Sequence, residues 1–289
     1  MDADASSFQQ QFHARWHSLR DPHVRALVWL LDAPDLLGAE SPRWESKIAR
    51  LPEHTAELAR DWLLALDAEP ELLTASLELN PFTRLGRYAE KLLAFYFSHQ
   101  KQLVAHGMQV RVGKDETIGE FDFLLSDGVN LMHWEFATKF YLLCSSDPAW
   151  ASVQTADYFV GPNLADTLGA KMRKILDRQL SLGQHPAAQT LLPRPVDQAQ
   201  ALLRGWLFYR RGEALPSQRL GMMGDQVLHR SQLQEQLRGR FQEDPMPVMV
   251  ASLLRDEDVW LESERGFIVP DDWQGKAGKK LRGLTAPPA

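Results

Sequence analysis

Ile118-Gly119-Glu120-Phe121-Asp122-Phe123-Leu124-Leu125, the turn Ser126-Asp127-Gly128, and Met132-His133-Trp134-Glu135-Phe136-Ala137-Thr138-Lys139 decide how this chain folds. Two apolar runs around a short polar turn read as a β-hairpin. Neighbouring side chains of a strand leave on opposite faces. Glu120 and Asp122 therefore share one side of the first run, and Phe121, Phe123 and Leu125 the other. On the second run His133, Glu135, Ala137 and Lys139 oppose Trp134, Phe136, Thr138 and Phe140. One face is expected to be core, and the other to carry two acids and a lysine.

Upstream, Leu85 to Leu103 reads as one amphipathic helix in which Leu85, Ala89, Leu92, Leu93, Phe95 and Tyr96 share an apolar arc. Glu90 falls about 60° beyond the edge of that arc, where a carboxylate either points into a site or pairs at the surface. Val104 to Val112 then reads as a strand, so a helix leads into a three-stranded meander of Val104–Val112, Ile118–Leu125 and Leu131–Phe140. After an irregular stretch, Ser145 to Val160, comes Gly161-Pro162-Asn163, with Asn163 placed as a helix N-cap and Asp166 three residues on. The helix from Leu164 to about Leu182 buries Leu164, Leu168, Met172, Ile175 and Leu176, with Gln179 inside the arc and Lys171 at its edge. Asp166, Arg173 and Asp177 lie on the far side.

The flanks differ from this centre. From Phe8 to Leu79 the pattern is helical, near Phe8–Leu19, His23–Leu31 and Thr55–Leu66, and it is punctuated by prolines. Beyond the proline-rich segment His185–Asp197, Leu202–Tyr209 reads as a fourth strand. An arginine-rich helix around Ser231–Phe241, a strand Val248–Leu254, a hairpin-like Val259–Val269 and a frayed end from Gly275 complete the reading. The division expected is an acidic helical cap over 1–82, a core over 83–210 and a C-terminal extension over 211–289 packing on that core.

Composition narrows the class. With 44% apolar and 24% charged residues in 289, the chain has the makeup of an ordinary globular protein able to bury a large core. Its start lacks a basic region followed by an apolar one, and no apolar run approaches the roughly 20 residues of a membrane span, so a cytoplasmic, non-membrane protein is expected. The single cysteine, Cys144, excludes internal disulfides and cysteine-based metal sites. A net charge of −6 argues against a protein that coats nucleic acid, but the charge is uneven. Residues 1–82 hold 7 basic against 14 acidic groups, whereas 194–240 hold 8 arginines against 4 acids, so a polyanion is directed to the middle and the arginine-rich segment.

No Gly-x-Gly-x-x-Gly, Walker lysine or Gly-x-Ser-x-Gly is present, and His133-Trp134-Glu135 lacks the cysteines of a zinc deaminase. What remains is Glu90, Asp122, Glu135 and Lys139 in the order helix, strand, strand. Two carboxylates on adjacent strands repel unless a cation lies between them. Mg²⁺ needs only one or two carboxylates besides water and phosphate oxygens. The chemistry this points to is metal-dependent phosphodiester hydrolysis with Mg²⁺ or Mn²⁺.

These residues resemble the PD-(D/E)XK nuclease superfamily, whose core is an acid-bearing helix, a β-meander with an Asp and a Glu-x-Lys, a helix and a further strand. More closely, Leu85-Gly86-Arg87-Tyr88-Ala89-Glu90, Gly119-Glu120-Phe121-Asp122-Phe123-Leu124, His133 through Leu142 and Gly161-Pro162-Asn163 resemble domain-of-unknown-function family 1853, a bacterial family placed in that superfamily by resemblance. The resemblance implies an α/β, restriction-endonuclease-like core with an N-terminal helical cap and a small C-terminal α+β extension. It implies Asp122, Glu135 and the Phe136 carbonyl as metal ligands, and Glu90 as the helix acid. Arg87, His133, Asn163 and Gln179 become candidate substrate or support residues.

The lysine departs from the pattern. Two positions after Glu135 stands Ala137, and Lys139 lies two further, roughly 6 to 7 Å along the strand. Lys171 is the competing donor. Three readings follow: an Mg²⁺-dependent endo- or exonuclease, a catalytically inactive module binding nucleic acid or a protein partner, and a buried ion-pair network without a ligand.

Overall fold

The hairpin pairs antiparallel, with Phe123 opposite Trp134 and Ser126 opposite Leu131. It sits in a computed structural model that describes residues 8–37, 44, 46–78, 84–114, 116–144, 155–161, 164–210, 223–229, 248–256, 259–269, 275–279 and 281. In chain order the helices are α1 Phe8–Trp16, α2 Pro22–Asp32, α3 Thr55–Leu58, α4 Arg60–Ala68, α5 Glu71–Leu77, α6 Leu85–His99, α7 Leu168–Lys174 and α8 Pro186–Gln189. The strands are β1 Leu103–Val112, β2 Glu116–Ser126, β3 Leu131–Leu143, β4 Phe159–Val160, β5 Gln198–Arg210, β6 Met223–His229, β7 Val248–Asp256 and β8 Val259–Val269. The architecture is mixed α/β. One sheet runs β1-β2-β3-β5-β6-β8-β7, with β4 against the end of β3. The β1/β2, β2/β3 and β7/β8 pairs are antiparallel; β3/β5, β5/β6 and β6/β8 are parallel.

The middle of the sheet is covered on both sides, as parallel strands require. Trp134, Phe136 and Leu202 pack with Leu92, Leu93 and Phe97 of α6, in one core that also takes in α1, α2, α4 and α5. Ala137, Tyr141, Ala201 and Leu203 pack the other way, against Leu168, Met172 and Ile175 of the α7 segment. The polar face expected on β3 is therefore itself buried: His133 is 0% exposed and Glu135 1%. A core that continues past two charged-type residues needs partners for them.

Several boundaries move for local reasons. The expected helix Thr55–Leu66 is broken at Ala59 into α3 and α4, and α5 follows it. The long helix after Pro162 begins only at Leu168, because Leu164 has a left-handed φ of 60°. Its cap is Thr167, whose hydroxyl accepts the Ala170 N–H at 3.1 Å. The Asn163 cap and the Ser231–Phe241 helix lie outside the described residues. Residues 275–279 and 281, expected to fray, are helical, with Ala277 and Leu281, one turn apart, buried with Leu142 and Phe208; the rest of that stretch lies outside the described residues. The Val259–Val269 stretch is a single strand, forming its hairpin with β7.

Arg204 of β5 fastens the N-terminal helices to the sheet. Its guanidinium is 2% exposed, donates to the Leu30 carbonyl at 2.9 Å near the end of α2, and pairs with Asp35. That carbonyl is one of the four a helix end leaves unpaired. Alongside it, Ala49 N donates to Ala201 O at 2.9 Å and Ala201 N to Lys47 O at 2.8 Å. Arg204→Ala is expected to cost about 3 kcal/mol in urea denaturation, because it strips the Leu30 carbonyl of its buried donor and leaves Asp35 with Arg50 alone, at 3.5 Å. An unchanged midpoint would show that Leu30 and Asp35 find water instead.

Candidate functional site

The site begins where β2 parts from β3. Pairing of β2 with β3 stops at Phe123 and Trp134, while β2 stays in register with β1 past Asp122. Phe123 and Leu125 enter the α6 core, whereas Phe121 packs with Val110, Leu124 and Leu131 in a separate cluster. The expected shared face of Phe121, Phe123 and Leu125 is thus divided between two clusters. The Phe136 N–H, left without a strand acceptor by that departure, donates to Asp122 Oδ2 at 2.9 Å. Phe136 is tied to the site through this N–H.

Three acids meet at the opening. Glu90 of α6, Glu120 and Asp122 each bring a carboxylate oxygen within 4.8 Å of the others. Around them, His106 Nε2 of β1 lies 2.8 Å from Glu90 Oε1, and Arg87 lies 3.6 Å from Glu90 and 3.4 Å from Glu120. Burial, with Glu135 beside it, pushes the Asp122 carboxyl up to about 7 against the pull of the Phe136 N–H. An all-oxygen donor set that is costly to ionise together fits a hard divalent cation such as Mg²⁺ or Mn²⁺.

Glu135 stands behind this group, its charge acting on Asp122. His133 Nε2 lies 2.8 Å from its Oε1, and Gln179 Nε2 donates to its Oε2. Burial raises the Glu135 carboxyl to about 7, opposed chiefly by Lys171. Burial also lowers His133 to about 4, so the ring is neutral near pH 7. Its one proton is best used on Nε2 toward Glu135, because Nδ1 has no partner among the described residues and lies in a ring that meets Phe121 edge to face at 4.6 Å. Gln179 reaches Glu135 because the helix widens into a π-turn over Ile175–Gln179, a local expansion that re-aims side chains. Its Oε1 is buried without a partner among the described residues.

The two lysines separate clearly. Lys139 Nζ donates to Asp166 Oδ2 at 2.8 Å, an oxygen that also accepts from the Tyr141 hydroxyl at 3.2 Å. Lys171 is the lysine whose charge acts on Asp122 and Glu135. Burial and the neighbouring Lys139 and Lys174 hold it below the ordinary lysine value, and the charges of Asp122 and Glu135 act in the opposite sense.

Of the residues singled out from the sequence, Glu90, Asp122, Glu135, Lys171, Arg87, His133, Phe136 and Gln179 come together; Lys139 is engaged by Asp166, and Asn163 lies outside the described residues. Glu120 and His106 join them. Glu120 was legible as the same-face neighbour of Asp122, whereas His106 offers only a polar residue within an apolar strand.

Among known proteins, the model of the family described as Domain of unknown function (DUF1853) matches residues 25–227, more than half of the chain. No curated protein and no solved structure matches it. No helix among the described residues is long and apolar enough to cross a membrane.

Proposed function

This chain belongs to the family described as Domain of unknown function (DUF1853), and we propose that it is a metal-dependent nuclease hydrolysing phosphodiester bonds of nucleic acid. The observation that carries the reading is the gathering of Glu90, Glu120 and Asp122, with Glu135 and Lys171 beside them, where β2 leaves β3. The order of elements supports it: acid on α6, acids on β2 and β3, then α7 and β5 parallel to β3. This order resembles that of a restriction-endonuclease-like core.

Asp122, Glu90 and Glu120 would hold the Mg²⁺ or Mn²⁺, with Glu135 completing the acidic wall. When bound, the metal supplies Lewis-acid polarisation of the phosphoryl oxygen and a water of lowered pKa. The chain's own contributions are positional. His133 and Gln179 fix both oxygens of Glu135, so its carboxylate does not reorient when charge changes nearby. Lys171 sets a positive charge where negative charge develops on the phosphoryl oxygens, the kind of pre-aimed group that lowers a barrier most. It supplies the ammonium that Ala137 does not, which favours hydrolysis over a module that only binds.

Lys171→Met is expected to lower the rate of Mn²⁺-dependent oligonucleotide cleavage by about 10²- to 10³-fold at saturating substrate. Lys139→Met should leave that rate within a factor of a few. The opposite ranking in single-turnover assays would move the catalytic ammonium to Lys139 and sink the assignment made here.

A further inference from the structure

The acids open into a cleft of about 860 Å³ whose other wall is the segment Lys174–Pro186. Glu120 and Asp122 line one side, and Lys174 and Arg178 line the other, with Asp177 between them. Both cations are exposed, and neither makes an ion pair among the described residues. A wall of acids facing a wall with two unpaired cations is poorly matched to a plain anion or a plain cation. It suits a phosphodiester that meets the cations directly and the acids through a metal ion.

We infer that this cleft takes a single, unpaired nucleic-acid strand and excludes a duplex; the inference rests on the nuclease reading of the same site. Size is the first reason. A volume of about 860 Å³ falls within the roughly 300–1,000 Å³ of sites for small ligands, room for a nucleotide or two. A phosphate held in a duplex brings its stacked bases and the opposite strand with it, and a duplex stiff over about 150 base pairs does not bend one strand inward on its own. The walls supply the second reason. They come together where a Cβ on Gly119 would lie 3.0 Å from Leu182 Cδ1, so the two walls of the cleft touch at that point. No Phe, Tyr or Trp lines it. Contacts therefore run to the sugar-phosphate backbone rather than to bases stacked on aromatic side chains.

The test is fluorescence anisotropy of the full chain with a labelled oligonucleotide, free or annealed into a blunt duplex, in Ca²⁺ to hold off cleavage. The single strand is expected to bind at least about tenfold more tightly. In the double variant Lys174→Gln, Arg178→Gln the slope of log affinity against log salt should fall by about 0.7 for each phosphate that is no longer neutralised. Equal or tighter duplex binding, with Mn²⁺-dependent cleavage intact, overturns the single-strand inference and leaves the nuclease reading standing. An unchanged salt slope in the double variant also overturns the inference. If neither oligonucleotide binds while Mn²⁺ titration still shows a site, both the inference and the nuclease reading fall.

Discussion

Asp122→Asn is expected to abolish metal-dependent cleavage, by at least about 10³-fold, while stabilising the metal-free protein above neutral pH. The two effects share one cause. The wild-type carboxyl is buried beside Glu135 and near Glu90, which raises it from 3.8 to about 7. Between about pH 4 and 7 the folded chain thus binds more protons than the unfolded chain, so stability falls as pH rises through that window and levels off above it. Asparagine keeps an oxygen for the Phe136 N–H, contributes an amide donor toward the remaining carboxylates and has nothing to ionise. At pH 8 the gain should be about 2 kcal/mol, a rise of roughly 4–8 °C in Tm, and near pH 4 it should vanish. Saturating Mg²⁺ should narrow the gap by stabilising only the wild type. Melts at the two pH values, without metal, decide the matter. A variant less stable than wild type at pH 8 would mean that Asp122 is a structural acceptor and no part of a strained acidic site.

Gly205→Ala should leave little folded protein. Gly205 lies opposite Lys139 in the parallel β3/β5 pair and has φ 143°, a region L residues avoid. A Cβ there would fall 1.7 Å from the Lys139 carbonyl oxygen, which is backbone and has no rotamer to give. Relief requires separating the two central strands of the sheet, where Leu202, Leu203 and Leu207 are buried. The expected loss exceeds about 4 kcal/mol, the range reserved for a strained core position. Denaturant titration of purified variant, or its failure to stay soluble, reads the result. A midpoint near that of the wild type would show that the pairing of β3 with β5 relaxes at low cost.

The hairpin was legible because its alternation is strong, and α6 because its apolar arc is continuous. The acids were legible as charges inside those patterns. The lysine was not settled by sequence, since Lys139 and Lys171 are both long enough to reach the acids. Only the three-dimensional placement of Asp166 against Lys139 separates them. The division of β2's apolar residues between two cores was hidden for a related reason. Residues 118–125 alternate well enough to suggest one apolar face, and the pattern does not say that Phe121 joins Val110 and Leu131 while Phe123 joins the α6 core. The role of Gln179 depended on the helix after α7 widening into a π-turn, which no pattern of apolar residues announces. Gly205 lay inside the strand read at Leu202–Tyr209, and nothing in that pattern names the Lys139 carbonyl that approaches it.

The clasp between Arg204 and the end of α2 also bears on how the chain is made. The Arg204–Leu30 bond joins residues 174 apart in sequence. At about 5–20 residues per second, a ribosome needs roughly 10–35 s to cover that distance. For that interval the helical N-terminus has no β5 to dock on, and its apolar faces must wait on partial packing or on a chaperone. Slow codons or a stalled ribosome before residue 204 would therefore expose nascent chains to aggregation.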